Sequence, residues 1–240
     1  MVLALFCKNL FSVPLWASNL AINIPLLFFS PHFKNGVKYT KDIMVATFIY
    51  SLFLGFTEDF VFEKGAPAKC TPPMRKKEDM EKLWDYVLDG TLSCVGSDHS
   101  PAADEEKDNA TKDIWHAWGG LNAIQFFLPM MFDMVVHKKG LSPSLIAKVM
   151  DYNPAKVFGL YGRKGAFELG FDGDIVIVDP EKAWKCEQEK LLTKGHVSCF
   201  NGLEGKGTPV CTMIRGKVVA QDGMYKDEAI GYGEYVTPVK

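Results

Sequence analysis

The chain has 240 residues, 48% hydrophobic and 23% charged, which is enough apolar content to bury a globular core as one large domain or two smaller ones. A formal charge of −2, with no basic stripe carrying interleaved aromatics, argues against a nucleic-acid binder. The six cysteines (Cys7, Cys70, Cys94, Cys186, Cys199 and Cys211) form no CxxC pair; they predict reduced, mostly buried thiols in a cytoplasmic protein, not a disulfide framework.

Residues 1–55 are strongly apolar, with Lys8, Lys34, Lys38, Lys41 and Asp42 as their only charges. The first 29 residues have some of the character of a signal or membrane segment. No positive region precedes the apolar run, however, and Lys8, Pro14 and Pro25 interrupt it, so the expectation is no membrane attachment. Residues 43–56, IMVATFIYSLFLGF, suit a buried strand as well as a buried helix.

From Arg75 the pattern becomes regular. Met80, Leu83, Trp84, Val87 and Leu88 fall at helical spacing, and Gly90 supplies a C-terminal stop. TLSCVGS then reads as a short strand leading to Asp98, and helix into strand into polar loop is the unit of a parallel α/β fold. Residues 100–113 are a long polar loop. LNAIQFFLPMMFDMVVHKKG is a mostly apolar helix kinked or restarted near Pro129 and stopped by Gly140. A Ser-capped helix follows and ends before Pro154, where PAKVFGL opens another. Beyond Gly162 the signals are of strands: one from Asp174 to Asp179, then two joined at Arg215-Gly216, with a second turn at Asp222-Gly223. A boundary near Tyr161 separates the α/β body from this small β unit.

Three stretches carry candidate chemistry. Strand alternation sends Leu92, Cys94, Gly96 and Asp98 to one side and Ser93, Val95, Ser97 and His99 to the other. Asp98, at the C-terminal end of a barrel strand above the small Gly96, becomes a candidate ligand or base, and His99 a supporting or loop residue. In AKCTPPMR two prolines hold an extended turn at Thr71, either a plain turn before the helix or a hydroxyl presented to a ligand. In AWGGLN, Gly119 and Gly120 allow close backbone approach, to a ligand or to another helix.

In order, KCTPPMR, LWDYVLDGTLSCVGSDHSP, AWGGLNAIQFFLP, NPAKVFGL and KGAFELGFDGDIVIVDP resemble the C-terminal half of allantoinases, cyclic amidohydrolases related to hydantoinases, dihydropyrimidinases and dihydroorotases. The likeness runs from about Phe56 to Gly223. It implies an α/β protein: the C-terminal portion of a metal-dependent (β/α)8 barrel at 56–161 and part of a β-sandwich at 162–240, with 1–55 unassigned. It further implies hydrolysis of the allantoin ring to allantoate at two zinc ions, held by an HxH pair, a carbamylated lysine, two more histidines and one aspartate. Asp98 matches that aspartate, which ligates metal and carries the proton from the attacking hydroxide to the leaving ring nitrogen. Thr71 matches a substrate contact, and Gly119-Gly120 close the other side of the site. Homo-oligomers are implied for the full-length form. The five histidines (His32, His99, His116, His137, His196) form no HxH and match none of the ligand positions, so most zinc ligands are missing. The expectation is a truncated chain that lacks turnover alone. Two alternatives remain: a hydantoinase or dihydropyrimidinase specificity, or a non-catalytic remnant that associates with a full-length homologue.

Overall fold

The computed structural model describes residues 2–3, 48–50, 52–108 and 114–239, so the expectations for the apolar segment 1–29 fall almost wholly outside the described residues. Among the described residues seven strands make two sheets. A parallel pair joins β2 (Phe48–Tyr50) to β3 (Cys94–Gly96), and a five-stranded antiparallel sheet has the order β1-β4-β5-β6-β7. Its strands are β1 (Val2–Leu3), β4 (Ile175–Lys185), β5 (Glu204–Ile214), β6 (Lys217–Gln221) and β7 (Met224–Tyr225). β1 pairs with β4 through Val2↔Ile177, so residues from both parts of the chain contribute to one sheet.

Between β2 and β3 lie helices Leu52–Gly55, Glu58–Lys64 and Lys77–Asp89, the right content for a parallel crossover. The helix Lys77–Asp89 forms over its predicted apolar stripe, with Trp84 and Val87 buried and Met80 and Leu83 packed at the core margin. Gly90 ends it with φ +85, a left-handed conformation that glycine adopts without a Cβ penalty. The Trp84 indole N–H donates to Leu54 O at 2.8 Å, fastening this helix to the element after β2. Trp84→Phe is expected to cost about 1–3 kcal/mol, because the buried carbonyl loses its donor; a urea melt showing no change in midpoint would contradict this.

The apolar stretch after Leu121 forms three consecutive turns of different pitch: a 3-10 turn Ile124–Phe126, the α-helix Phe127–Phe132 and the π-turn Asp133–Lys138. Pro129 sits in the first turn of the α-helix, where its missing N–H has no helical partner to lose. Gly140 terminates the run at φ +63. Helix Ser144–Ala147 follows, with Ser142 Oγ accepting the Ser144 N–H at 3.2 Å, and then Asn153–Val157. Among the described residues no helix is long and apolar enough to cross a membrane.

One core joins these parts. Val176 and Val178 of β4, Phe126, Met131, Phe132 and Val135, and Trp84, Val87 and Val95 belong to the same buried cluster. The helical run lies against β5: Asp133 Oδ1 accepts the Lys206 N–H at 3.0 Å, and a Cβ on Gly207 would reach the Phe132 ring at 2.1 Å. β4 runs six residues past the expected Asp179, through a register irregularity between Asp179 and Ala183, and re-pairs at Ala183↔Lys206. The turn leading into β4 is held by ion pairs from buried Lys164 to Asp172 (2.8 Å) and to Asp174, whose Oδ1 also accepts the Arg215 N–H at 2.8 Å. Cys70, Cys94, Cys186 and Cys199 are buried free thiols and Cys211 is a half-buried one.

Candidate active site

β3 is short, and both of its faces are packed. Cys94 and Val95 are both buried, as expected of a parallel strand covered on two sides. Beyond Gly96 the chain leaves the pleat, and Asp98 takes φ +47. The alternation used to aim Asp98 and His99 at opposite sides therefore stops at Gly96, since a left-handed residue redirects whatever follows. A non-glycine residue held there carries local strain, of the sort concentrated at functional sites, although Asp tolerates it better than most. The Asp98 side chain is half-buried, and burial alone pushes its carboxyl up to about 6.

His99 is turned to a supporting role. Its Nδ1 accepts the Ile124 N–H at 3.2 Å, its backbone bridges to Leu121, and burial lowers its pKa, favouring the neutral ring. Ser100 continues the contact: its N–H donates to Leu121 O at 2.8 Å, and the Trp118 indole donates to its carbonyl at 3.2 Å and its hydroxyl at 3.3 Å.

The other stretches arrive at the same place. The Thr71 N–H donates to Gly119 O at 3.0 Å, and a Cβ on Gly119 would stand 2.6 Å from Thr71 Oγ1. A Cβ on Gly120 would stand 2.5 Å from Ser100 O. Both glycines are thus used for close approach, of one loop to another. Cys70 lies near enough to Asp98 to feel its charge, which adds to burial in raising the thiol pKa. Thr71, Gly119, Gly120 and the Asp98 loop consequently converge on one end of β3.

Several residues that build this site carried no sequence signal. Lys107, inside what reads as a polar loop, lies in the helix Asp104–Asp108 and is only 3% exposed. Its Nζ donates to Lys69 O at 2.8 Å and Trp118 O at 2.9 Å. Asn122 Nδ2 donates to Gly195 O and Val197 O, both at 3.2 Å, and Asp104 Oδ1 accepts the His196 N–H at 2.6 Å. The segment before β5 is thereby fastened to the site loops. An acidic run and a lone Asn give no pattern from which such tertiary bonds can be read.

The family likeness implies two zinc ions, and the described residues do not fit them. Nowhere among those residues do three His, Cys, Asp or Glu side chains gather as a metal set. His99 is engaged with Ile124, and His137 Nε2 meets Pro180 O at 2.8 Å on the far side of the helical run. His32 is outside the described residues.

Residues 37–219 match the Amidohydrolase family. The chain belongs to that family. The matched stretch starts upstream of Phe56, takes in β2 to β5 and ends within β6. It is similar to the allantoinase of Rubrobacter xylanophilus, 38% identical over 171 residues covering 71% of this chain and 37% of that one. It is 36% identical to the L-hydantoinase of Paenarthrobacter aurescens, over 77% of this chain and 40% of the relative. In structure it resembles the L-hydantoinase (dihydropyrimidinase) from Arthrobacter aurescens, with TM-score 0.71, 34% identity and coverage of 75% of this chain and 40% of that one. The dihydropyrimidinase of Brevibacillus agri is similar at TM-score 0.72 and 26% identity, over 80% and 42% of the two chains. These solved relatives support the partial amidohydrolase barrel expected from the sequence. The chain spans about two fifths of the length of these amidohydrolases.

Proposed function

We propose that this chain is the part of a cyclic amidohydrolase that carries its proton-transfer carboxylate and its ring-holding loops, with allantoin as the substrate and allantoate as the product. The observation that carries this reading is the convergence of Thr71 and Gly119 beside the loop of a strained, half-buried Asp98. In hydrolysis of a cyclic amide, water adds to a ring carbonyl, the C–N bond breaks, and one proton moves from the water to the departing nitrogen. Asp98, with its carboxyl near 6, is mostly ionised at neutral pH and so accepts that proton; once protonated, it is acidic enough to deliver it. Thr71 offers its hydroxyl to the ring, and the backbone at Gly119-Gly120, in contact with Thr71, continues the same wall of the site. In the complete enzyme, metal ions would activate the water; the residues for that are not gathered here, so Asp98 is assigned only its proton transfer and a single metal-facing carboxylate.

The division into 56–161 and 162–240, a cytoplasmic setting, a homo-oligomeric full-length form and a place in purine-derived ureide breakdown belong to the same proposal. Relatives named for allantoin and for hydantoin are nearly equally similar, so the substrate is decided by turnover. In a full-length protein containing this stretch, allantoin is expected to be hydrolysed in preference to dihydrouracil, and the reverse order would assign it to the dihydropyrimidinase type.

A second reading is favoured by one observation: no metal set exists among the described residues, and the 240 residues contain no HxH. On that reading the 240-residue polypeptide does not catalyse, and it acts by associating with a full-length homologue. Elemental analysis of the purified polypeptide is expected to find no stoichiometric zinc, and an allantoin assay no turnover. Two bound zinc ions with ring opening would overturn this second reading while upholding the first.

A further inference from the structure

We propose that Lys107 is a positioning residue, a clamp whose amine holds the main chain before Thr71 to the main chain before Gly119 and so keeps those two residues in contact beside the Asp98 loop. This rests on the assignment of Thr71 and Gly119 to one wall of the ring site. The geometry is direct. Lys107 Nζ donates at 2.8 Å to Lys69 O, two residues before Thr71, and at 2.9 Å to Trp118 O, one residue before Gly119. The same short helix also accepts the Trp118 N–H at Glu106 O (3.0 Å), so it grips Trp118 at both its N–H and its C=O. A second tie runs the other way, from Lys69 Nζ to Trp115 O at 2.8 Å.

The surroundings indicate that this lysine is retained for its bonds. Among the described residues, the titratable groups that act on it are the thiols of Cys70 and Cys199 and the ammonium of Lys69, and no carboxylate. Burial pulls its own pKa down to about 8 and pushes both thiols up. A buried cation without an acidic partner is costly unless its protons are used. Here they reach carbonyls of two separate loops. A neutral amine still has two N–H groups for two carbonyls, so the clamp does not depend on the charge state.

Hydrogen exchange on the folded 240-residue chain tests this. The Thr71 and Ser100 amides, which donate to Gly119 O and Leu121 O, report on the loops, and the β4–β5 amides serve as the internal reference. In Lys107→Met the Thr71 amide is expected to exchange at least about tenfold faster while β4 and β5 keep their protection; in Lys107→Arg, protection at Thr71 is expected to return to within about threefold of the parent. Unchanged protection at Thr71 in Lys107→Met overturns the clamp. So does loss of protection in β4 and β5 together with Thr71 in both variants, which would make Lys107 a support of the whole fold. Should Lys107→Met not fold, Lys107→Gln carries the same comparison. Ligand-observed NMR with hydantoin separates the underlying assignment: affinity lowered by Lys107→Met and restored by Lys107→Arg supports both. A parent that binds no hydantoin while its Thr71 protection still responds to Lys107→Met rejects the ring-site assignment and upholds the clamp.

Discussion

Gly120→Ala is expected to destabilise the chain by about 2–3 kcal/mol and to open the candidate site. Methyl groups are usually tolerated at surface glycines, but Gly120 is buried, and its new Cβ would lie 2.5 Å from Ser100 O, 2.6 Å from Ser100 Cβ and 2.6 Å from Ser100 Oγ. The obstruction is partly main chain, and it is pinned: the Ser100 N–H bonds to Leu121 O at 2.8 Å, Leu121 is buried, and the Trp118 indole donates to Ser100 O at 3.2 Å. Relief requires one loop to move away from the other, which costs as overpacking of a tight contact does. For a chain of this size that is a fall in Tm of about 4–12 °C. Gly140→Ala is the control. Its φ of +63 makes alanine strained, yet nothing lies within 4 Å, so only about 1 kcal/mol is at stake. Equal losses in the two variants would show that the Gly120 contact yields easily, and that the loops carrying Thr71 and Ser100 are not held in register by it.

How much of this site could be read from the residues depends on the range of the interaction. The helix Lys77–Asp89 was legible because its stripe and its glycine stop are local, and the structure buries Trp84 and Val87 as the period requires. The Asp98 loop was legible as a place but not as a direction, because the period-two argument assumes a continuing pleat and φ +47 ends it. β4 was placed but cut short: Pro180 and the charged residues after Asp179 look like a turn, and only pairing with β5 carries the strand on to Lys185. Lys107 was illegible in principle. In a run of Asp and Glu a lysine reads as a solvated partner, and its burial follows from two carbonyls brought together by segments 38 and 11 residues away. The family likeness put Thr71 and Gly119 on two sides of one site; the structure instead brings them into contact, with the Thr71 N–H on Gly119 O at 3.0 Å.

Asp98→Asn separates the cost of the candidate catalytic carboxylate from its use. Asparagine keeps the side-chain shape and accepts the left-handed backbone, so the variant chiefly deletes a charge. The folded carboxyl titrates at about 6, above the ordinary value near 4 that it has in an unfolded chain. Between those two values the folded state binds the proton more tightly, so stability falls as pH rises through that window and stays reduced above it. The full shift corresponds to nearly 3 kcal/mol, and partial solvent access to the carboxyl reduces that to about 1–2 kcal/mol. Asp98→Asn is therefore expected to melt about 2–8 °C above the parent at pH 8, with the difference narrowing toward pH 4. In a full-length protein that turns over allantoin, the same change is expected to lower kcat by about 10²–10⁴-fold. A variant that melts with the parent at pH 8 would mean the charge is solvated, whereas a variant that is stabilised yet keeps full turnover would assign the proton transfer to another group. Stabilisation joined to lost turnover is the pattern of a side chain held in an unfavourable state because the reaction needs it there.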